Sequence, residues 1–243
     1  MSQSVKRAAR IIDAIADEPK TVAELASAFG LHRSSMFREL QDLEAVGYVR
    51  RRKSGQYVLG SHLLSLLRVP LDNLDLREAG HDHLLKLHKA VGNTVHLAAL
   101  IDDNIVYVDK VEDASGVRMY SRIGNAVFPY CSGVGKAILA ELDEADRDAV
   151  LEGTDWKKFT ASTIPSRAAL EEELRAIKTR GWAVDDGEFE DFVNCVAVPI
   201  RSSSGIAGAL SVTAIRMAQD LTQLKAHIRL LRQTAALISR ELG

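Results

Sequence analysis

Cysteine is nearly absent from this chain of 243 residues, in which Cys131 and Cys195 are the only two. Two cysteines so far apart do not form a disulfide framework, and they lack the close spacing of a zinc-binding motif. We therefore expect a protein of the reducing cytoplasm, without a cysteine-bound metal.

Long apolar runs are also missing. No stretch approaches the roughly 20 apolar residues that a membrane helix needs, and the N-terminus lacks the apolar core of an export signal. Internal repeats, low-complexity segments and a flexible Gly/Ser linker are absent as well. The sequence thus predicts a soluble, unexported protein whose parts are joined semi-rigidly.

The net charge of −2 conceals an uneven distribution along the chain. Residues 1–60 carry ten Lys or Arg and seven Asp or Glu, which gives +3. Residues 61–243 carry 21 and 26 of these, which gives −5. A basic head on an acidic body indicates that the head is the part that approaches a polyanion.

The first 60 residues have the pattern of three helices followed by a hairpin. Thr21 and Glu24 fit a capping box for the second helix, and Ser34 is a good N-cap for the third. The third helix should bury the stripe formed by Met36, Leu40, Leu43 and Val46. The expected elements are helices over residues 5–16, 22–29 and 34–46 and strands over residues 48–52 and 56–59. This order is the plan of a winged helix-turn-helix.

The third helix and the hairpin carry the residues expected to contact DNA. The major groove admits one helix, and residues near its N-terminal end reach base edges. Four adjacent cations gain nothing in a folded monomer, so we expect them to meet phosphates or a minor groove. Phe37 is either a core residue or a contact to a thymine methyl group. The predicted DNA-binding residues are Arg33, Ser34, Ser35, Phe37, Arg38, Arg50, Arg51, Arg52 and Lys53.

The remainder of the chain mixes helices and strands. Leucines over residues 61–74 suggest a connecting helix that Pro70 interrupts. The expected strands cover residues 94–101, 105–111, 117–123, 182–185, 195–200 and 208–214, and the expected helices cover residues 76–90, 133–140, 144–151, 167–180 and 221–242. Mixed elements that begin and end in helices indicate an α+β sensor-like domain.

Three stretches in this order resemble the IclR family of bacterial transcription regulators. Residues 31–49 read LHRSSMFRELQDLEAVGYV, residues 131–140 read CSGVGKAILA, and residues 181–201 read GWAVDDGEFEDFVNCVAVPIR. The resemblance implies an α+β protein with a winged helix-turn-helix at 1–60, a linker helix at 61–74 and a GAF-like effector domain at 75–243. It also implies a homodimer or homotetramer that binds an operator in double-stranded DNA, most often as a repressor, and contacts no membrane.

The resemblance also places an effector site in the second domain. The backbone amides of Gly133 and Val134 would favour an anion, and the Ser211 and Thr213 hydroxyls would point to one face of a strand. Asp185 would accept a hydrogen bond from a ligand hydroxyl, so we expect a small organic acid that carries a hydroxyl or a hydrated carbonyl group, as a keto acid, sugar acid or hydroxy-aromatic acid does. The implied effector-binding residues are Met119, Ser132, Gly133, Val134, Asp185, Val193, Cys195, Ser211 and Thr213.

Other chemistries fit the sequence less well. The stretch ending at Lys136 lacks the spacing of a phosphate-binding loop, and the acidic residues from Asp185 to Asp191 most simply form a solvated loop. Among the histidines, His81 and His83 diverge on a helix, and only His81 and His88 could share a face. We therefore expect no cofactor, no metal and no catalysis. A cysteine-dependent hydrolase or thiol redox sensor, built on Cys195 with an accessory DNA-binding head, is the alternative.

The third helix generates a test of base recognition. Ser35→Ala or Arg38→Ala should weaken binding to the operator by about 1–3 kcal/mol for each bidentate hydrogen-bonded base that is no longer recognised, and weaken binding to random DNA far less. Fluorescence anisotropy on both DNAs measures this difference. Equal effects on the two DNAs would assign these side chains to phosphates instead of bases.

Overall fold

A computed structural model describes residues 3–63, 66, 75–112 and 119–243 of the chain. The chain divides into two compact units, Met1–Asn73 and Leu74–Gly243. Most of the predicted linker at 61–74 lies outside the described residues, although 61–63 and 66 are helical.

The first unit contains three helices and a small antiparallel sheet. The helices are α1 (Gln3–Asp17), α2 (Val22–Phe29) and α3 (Arg33–Ala45), and the strands are β1 (Lys20–Thr21), β2 (Val49–Arg51) and β3 (Gln56–Leu59). The sheet has the order β1-β3-β2. The hydrophobic core of this unit has five fully buried side chains at its centre: Ile11, Leu25, Met36, Leu40 and Tyr57.

The helix ends in this unit agree with the sequence in one place and differ in two. The capping box is present: Thr21 Oγ1 accepts a hydrogen bond from the Glu24 amide, and the Thr21 amide donates to Glu24. The prediction that Ser34 caps α3 is wrong, because the helix begins one residue earlier and follows His32. Val46 is 55% exposed instead of buried, since α3 ends at Ala45 and Val46 leaves the buried stripe.

The second unit is built on a five-stranded antiparallel sheet of order β5-β4-β8-β7-β6. Its strands are β4 (Thr94–Ile101), β5 (Asn104–Val111), β6 (Ala183–Asp186), β7 (Val193–Ser202) and β8 (Gly205–Ile215). Its helices are α4 (Asp75–Val91), α5 (Gly133–Leu139), α6 (Glu144–Leu151), α7 (Arg167–Arg180), α8 (Leu221–Lys225) and α9 (Ile228–Glu241).

The sheet separates two hydrophobic cores because alternate residues of a strand point to opposite faces. On β7, Cys195 and Ala197 belong to the core that contains α5 and α7. Val196 and Val198 belong to the core that contains α4 and α9. The same alternation brings residues of β4, β7 and β8 onto the face that α5 covers.

Two predicted elements of the second unit need correction. The described part of the expected strand 117–123, residues 119–123, is not a strand. Two of its carbonyl groups bond to side chains instead of to a neighbouring strand: Tyr120 O accepts from Asn125, and Ser121 O accepts from Lys110. The single helix expected at 221–242 is divided into α8 and α9. Within the described part of the chain, no helix is long and apolar enough to cross a membrane.

Candidate functional site

The exposed face of α3 carries every residue that was predicted to read bases. Met36 and Leu40 are completely buried, whereas Arg33, Ser34, Ser35 and Arg38 are exposed on the opposite side. Phe37 is 37% exposed, so its ring is not part of the core of the unit. This position leaves the ring free for an apolar contact such as a thymine methyl group.

The basic hairpin is anchored to the end of α3. The Arg51 amide donates a hydrogen bond to Glu44 Oε1 at 2.9 Å, and Arg50, Arg51, Arg52 and Lys53 are all exposed. Nearer the middle of α3, Arg7 Nε donates to Glu39 Oε1 at 2.7 Å, which fixes α1 against the helix. These two hydrogen bonds hold the cationic hairpin and α1 against α3.

The second unit contains a cavity between the sheet, α5 and the irregular segment 119–121. The space free of protein atoms in and around this cavity amounts to about 440 Å³, open solvent included. All nine residues that the family resemblance implied line this cavity: Met119, Ser132, Gly133, Val134, Asp185, Val193, Cys195, Ser211 and Thr213. The sequence did not reveal six further lining residues: His96, Tyr107, Tyr120, Ser121, Phe189 and Glu190.

Gly133 permits α5 to lie close to the sheet at this cavity. A Cβ atom at this position would lie 2.8 Å from Cys195 Sγ, a separation that side-chain carbons do not adopt. Ser132 caps the helix, and its Oγ accepts a hydrogen bond from the Gly135 amide. The helix therefore begins at the cavity wall, with Gly133 and Val134 as its first two residues.

His96 is the polar centre of the sheet side of the cavity. Its Nε2 lies 2.8 Å from Ser121 Oγ, and its Nδ1 lies 3.3 Å from Ser211 Oγ and 3.2 Å from Thr213 Oγ1. Burial, with the charge of Lys110, lowers the pKa of His96 to about 3. The imidazole is therefore neutral at physiological pH, and it orients three hydroxyl groups that a ligand can meet.

Asp185 and Glu190 form the acidic side of the cavity. Asp185 is 6% exposed and its Oδ1 accepts from the Glu188 amide at 2.7 Å. Burial, followed by the charge of Glu188, raises the pKa of Asp185 to about 7. Burial also raises the pKa of Glu190. The acidic side can therefore exchange a proton near neutral pH, and it suits a ligand that donates hydrogen bonds.

The expectation of a solvated acidic loop from Asp185 to Asp191 is wrong for two of its members, because Asp185 and Glu188 are buried. Glu188 has a partner that the sequence did not identify: Lys136 Nζ lies 2.5 Å from each of its carboxylate oxygens. Lys136 interrupts an otherwise small and apolar helix. That interruption was the available signal of a buried ion pair.

The thiols and histidines considered for other chemistry have ordinary surroundings. Both cysteines are buried, and burial raises the pKa of Cys195 to about 12. His81 contacts Asp109, His83 contacts Glu241, and His88 contacts the Asn93 carbonyl. In the described parts of the chain, no three His, Cys, Asp or Glu side chains are grouped to hold a metal ion.

Comparison with known proteins gives matches along essentially the whole chain. The family model described as the IclR helix-turn-helix domain matches residues 4–53, and that of the bacterial transcriptional regulator IclR C-terminal region matches residues 69–240. The HTH-type transcriptional regulator XynR of Escherichia coli is 32% identical over 245 residues, covering 99% of this chain and 97% of its own.

Solved structures show the same architecture. An IclR from Thermotoga maritima superposes with a TM-score of 0.78 at 33% identity, covering 98% of each chain. An IclR homologue from Microbacterium hydrocarbonoxydans, solved in complex with 4-hydroxybenzoate, has a TM-score of 0.80 at 21% identity and covers 99% of each chain. These matches confirm the predicted fold class of a winged helix-turn-helix with a mixed α/β effector domain.

The exposed cations of the hairpin lead to a prediction about salt dependence. Arg51→Ala with Lys53→Ala should weaken binding to all DNA sequences similarly, and should flatten the plot of log affinity against log salt by about one unit for each phosphate that is no longer neutralised. Titrations at several salt concentrations measure the slope. Arg175→Ala with Lys178→Ala, on α7 of the second unit, is a matched control. An unchanged slope in the hairpin variant would contradict an interaction with phosphates.

The raised pKa of Asp185 predicts a pH-dependent stability. Because this pKa moves from 3.8 to about 7 on folding, the folded chain holds the proton more tightly. The stabilisation of the folded state by this proton is full below about pH 4 and is lost as the pH rises through 7. Relative to the Asp185→Asn variant, the free energy of unfolding of the wild type should fall by on the order of a few kcal/mol across that pH range. Urea unfolding across this range, with Asp186→Asn as the control, measures it. A pH-independent difference would refute the prediction.

Proposed function

Since the chain belongs to the IclR family of bacterial transcription regulators, we propose that it is a repressor that releases or binds its operator in response to a small organic acid. The DNA-binding unit and the effector unit are those of a ligand-responsive regulator. The identity of the acid class and the sign of regulation are part of the proposal. The observation that carries it is the cavity into which all nine residues implied by the family resemblance converge.

The two sides of this cavity favour the two ends of a hydroxy or keto acid. In their ionised forms Asp185 and Glu190 repel a carboxylate and accept hydrogen bonds, so the ligand hydroxyl belongs beside them. Of the hydroxyls of Ser121, Ser211 and Thr213, arranged around the neutral His96, one donates to the unprotonated ring nitrogen, and the others can donate to the carboxylate at the other end. The 4-hydroxybenzoate held by the Microbacterium homologue is a molecule of this kind.

We propose that the DNA-binding residues divide into two groups. Arg33, Ser34, Ser35, Phe37 and Arg38 meet base edges, and the cations from Arg50 to Lys53 meet phosphates or a minor groove. The exposure of the whole set supports this assignment. Because operator DNA lies in the cytoplasm of a bacterium, we also propose a cytoplasmic location.

A single winged helix buries too little surface for tight specific binding, so paired heads should occupy a palindromic site. We propose a homodimer or homotetramer held in part by Leu63, Leu66 and Leu67. Leu66 is 48% exposed, which suits a contact between chains, whereas Leu67 lies outside the described residues. Sedimentation and a footprint of two half-sites test this assembly.

The absence of catalysis is also a proposal. A thiol nucleophile needs a lowered pKa and access to substrate, whereas Cys195 is buried and its pKa is raised to about 12. This environment weighs against the cysteine-dependent hydrolase or thiol redox sensor. Turnover that is abolished by alkylation of Cys195, or operator release that depends on redox state, would favour that alternative.

The effector assignment predicts a separation of ligand response from DNA binding. Asp185→Ala and Ser211→Ala should each remove the response yet leave operator affinity unchanged, because both side chains line the cavity of the second unit. The experiment first screens 4-hydroxybenzoate, other hydroxy acids and keto acids for a rise in melting temperature. Calorimetry then compares the variants with the wild type.

Asp186→Ala is the matched control, since Asp186 follows Asp185 on β6 and instead pairs with Arg216. It should keep the full response. Undiminished ligand affinity in both cavity variants would place the effector elsewhere in the protein.

A further inference from the structure

The ion pair between Lys136 and Glu188 lies next to the effector cavity without belonging to its lining. Lys136 is 0% exposed, and its Nζ lies 2.5 Å from both carboxylate oxygens of Glu188. The Glu188 side chain is 9% exposed. Neither side chain is among those that line the cavity. The two side chains therefore act on the cavity only through the protein segments that they join.

Each end of this ion pair leads to a different wall of the cavity. Lys136 belongs to α5, whose first residues Gly133 and Val134 form one wall. Glu188 lies in the segment that contains Asp185, Phe189 and Glu190, which line the cavity as well. The ion pair thus joins two segments that line the cavity and lie 52 residues apart in the sequence.

The backbone around Glu188 is held by further hydrogen bonds. Thr163 Oγ1 donates to the Glu188 carbonyl at 2.6 Å, and Thr160 Oγ1 donates to the Gly187 carbonyl at 2.6 Å. The Glu188 amide donates to Asp185 Oδ1 at 2.7 Å. The backbone amide and carbonyl and the carboxylate of Glu188 all have partners within the protein. This segment is therefore fixed in position, and the carboxylate of Asp185 is oriented with it.

Energetics argue that the ion pair is not there for stability alone. Burying two charges carries a large desolvation cost, and well-packed apolar side chains of similar volume often give equal or greater stability. An apolar pair could fill the same space without a defined bonding geometry. The lysine ammonium instead ties the two segments together at one point, with both oxygens of one carboxylate 2.5 Å from its Nζ.

We propose that Lys136 and Glu188 are positioning residues of the effector site: their ion pair holds segment 185–190 against α5 and so sets the shape of the cavity. This inference rests on the proposed function for its importance to sensing. Its geometric content can be tested without any effector, because Cys195 lines the cavity and Cys131 is buried outside its lining. The alkylation rates of the two thiols therefore report separately on the cavity and on the rest of the core.

The experiment compares the full-length wild type with Lys136→Met/Glu188→Leu, in which no buried charge is left unpaired. Each protein is exposed to N-ethylmaleimide, and mass spectrometry follows Cys195 and Cys131 separately. We expect Cys195 of the double variant to react at least about tenfold faster, as local opening of the cavity requires, while the rate of Cys131 and the melting temperature stay close to the wild type.

Loss of Lys136 cannot by itself produce that acceleration, since its charge lowers the pKa of Cys195 and removing it slows the thiol. The control is Glu141→Leu/Arg201→Met, which removes a partly exposed ion pair of the second unit and should leave both rates unchanged. A double variant that fails to fold, or accelerates both thiols equally, would make the ion pair a general stabilising element. An unchanged Cys195 rate would overturn the proposal too. Failure of the acid screen would instead count against the proposed function alone.

Discussion

The register between β4, β8 and β7 is the constraint on which the second unit depends. His96 is paired with Ser211, and Thr213 is paired with Cys195. Because side chains alternate between the faces of a sheet, a slip of one residue would send these groups into the core beneath α4 and α9 and would bring Val95 and Val212 to the cavity. One set of backbone hydrogen bonds therefore determines both where the apolar cores close and where a polar cavity remains.

The cavity combines groups that are costly to bury, and the structure handles that cost through protonation and pairing. His96 stays neutral because burial lowers its pKa to about 3. Asp185 keeps a proton to higher pH because burial raises its pKa to about 7. Lys136 and Glu188 are buried as partners of each other. A buried polar group without a partner costs free energy, so a ligand that completes these hydrogen bonds gains affinity from the arrangement that the fold already maintains.

Local patterns predicted the local structure well. The capping box at Thr21 and Glu24 and the buried stripe of Met36, Leu40 and Leu43 depend on neighbours within one or two helical turns, and both are present. The prediction of a strand at 119–123 was wrong partly because Ser121 bonds to the side chains of His96 and Lys110, which come from distant segments. His96 was missed for the same reason, since Ser211 and Thr213 lie 115 and 117 residues away. The nine lining residues came from the family resemblance, because periodicity carries no information about which distant segments meet.

The division of labour between the two units limits how sensing can work. Every residue that lines the cavity belongs to the second unit, and every predicted DNA contact belongs to the first. An acid bound in the cavity can then change operator affinity only by as much as its own affinity differs between the DNA-competent and DNA-incompetent arrangements. Linkage makes the effect reciprocal: operator DNA must change the affinity for the acid by the same factor. Tight binding in the cavity is therefore not sufficient for regulation, and the cavity walls must differ between the two arrangements.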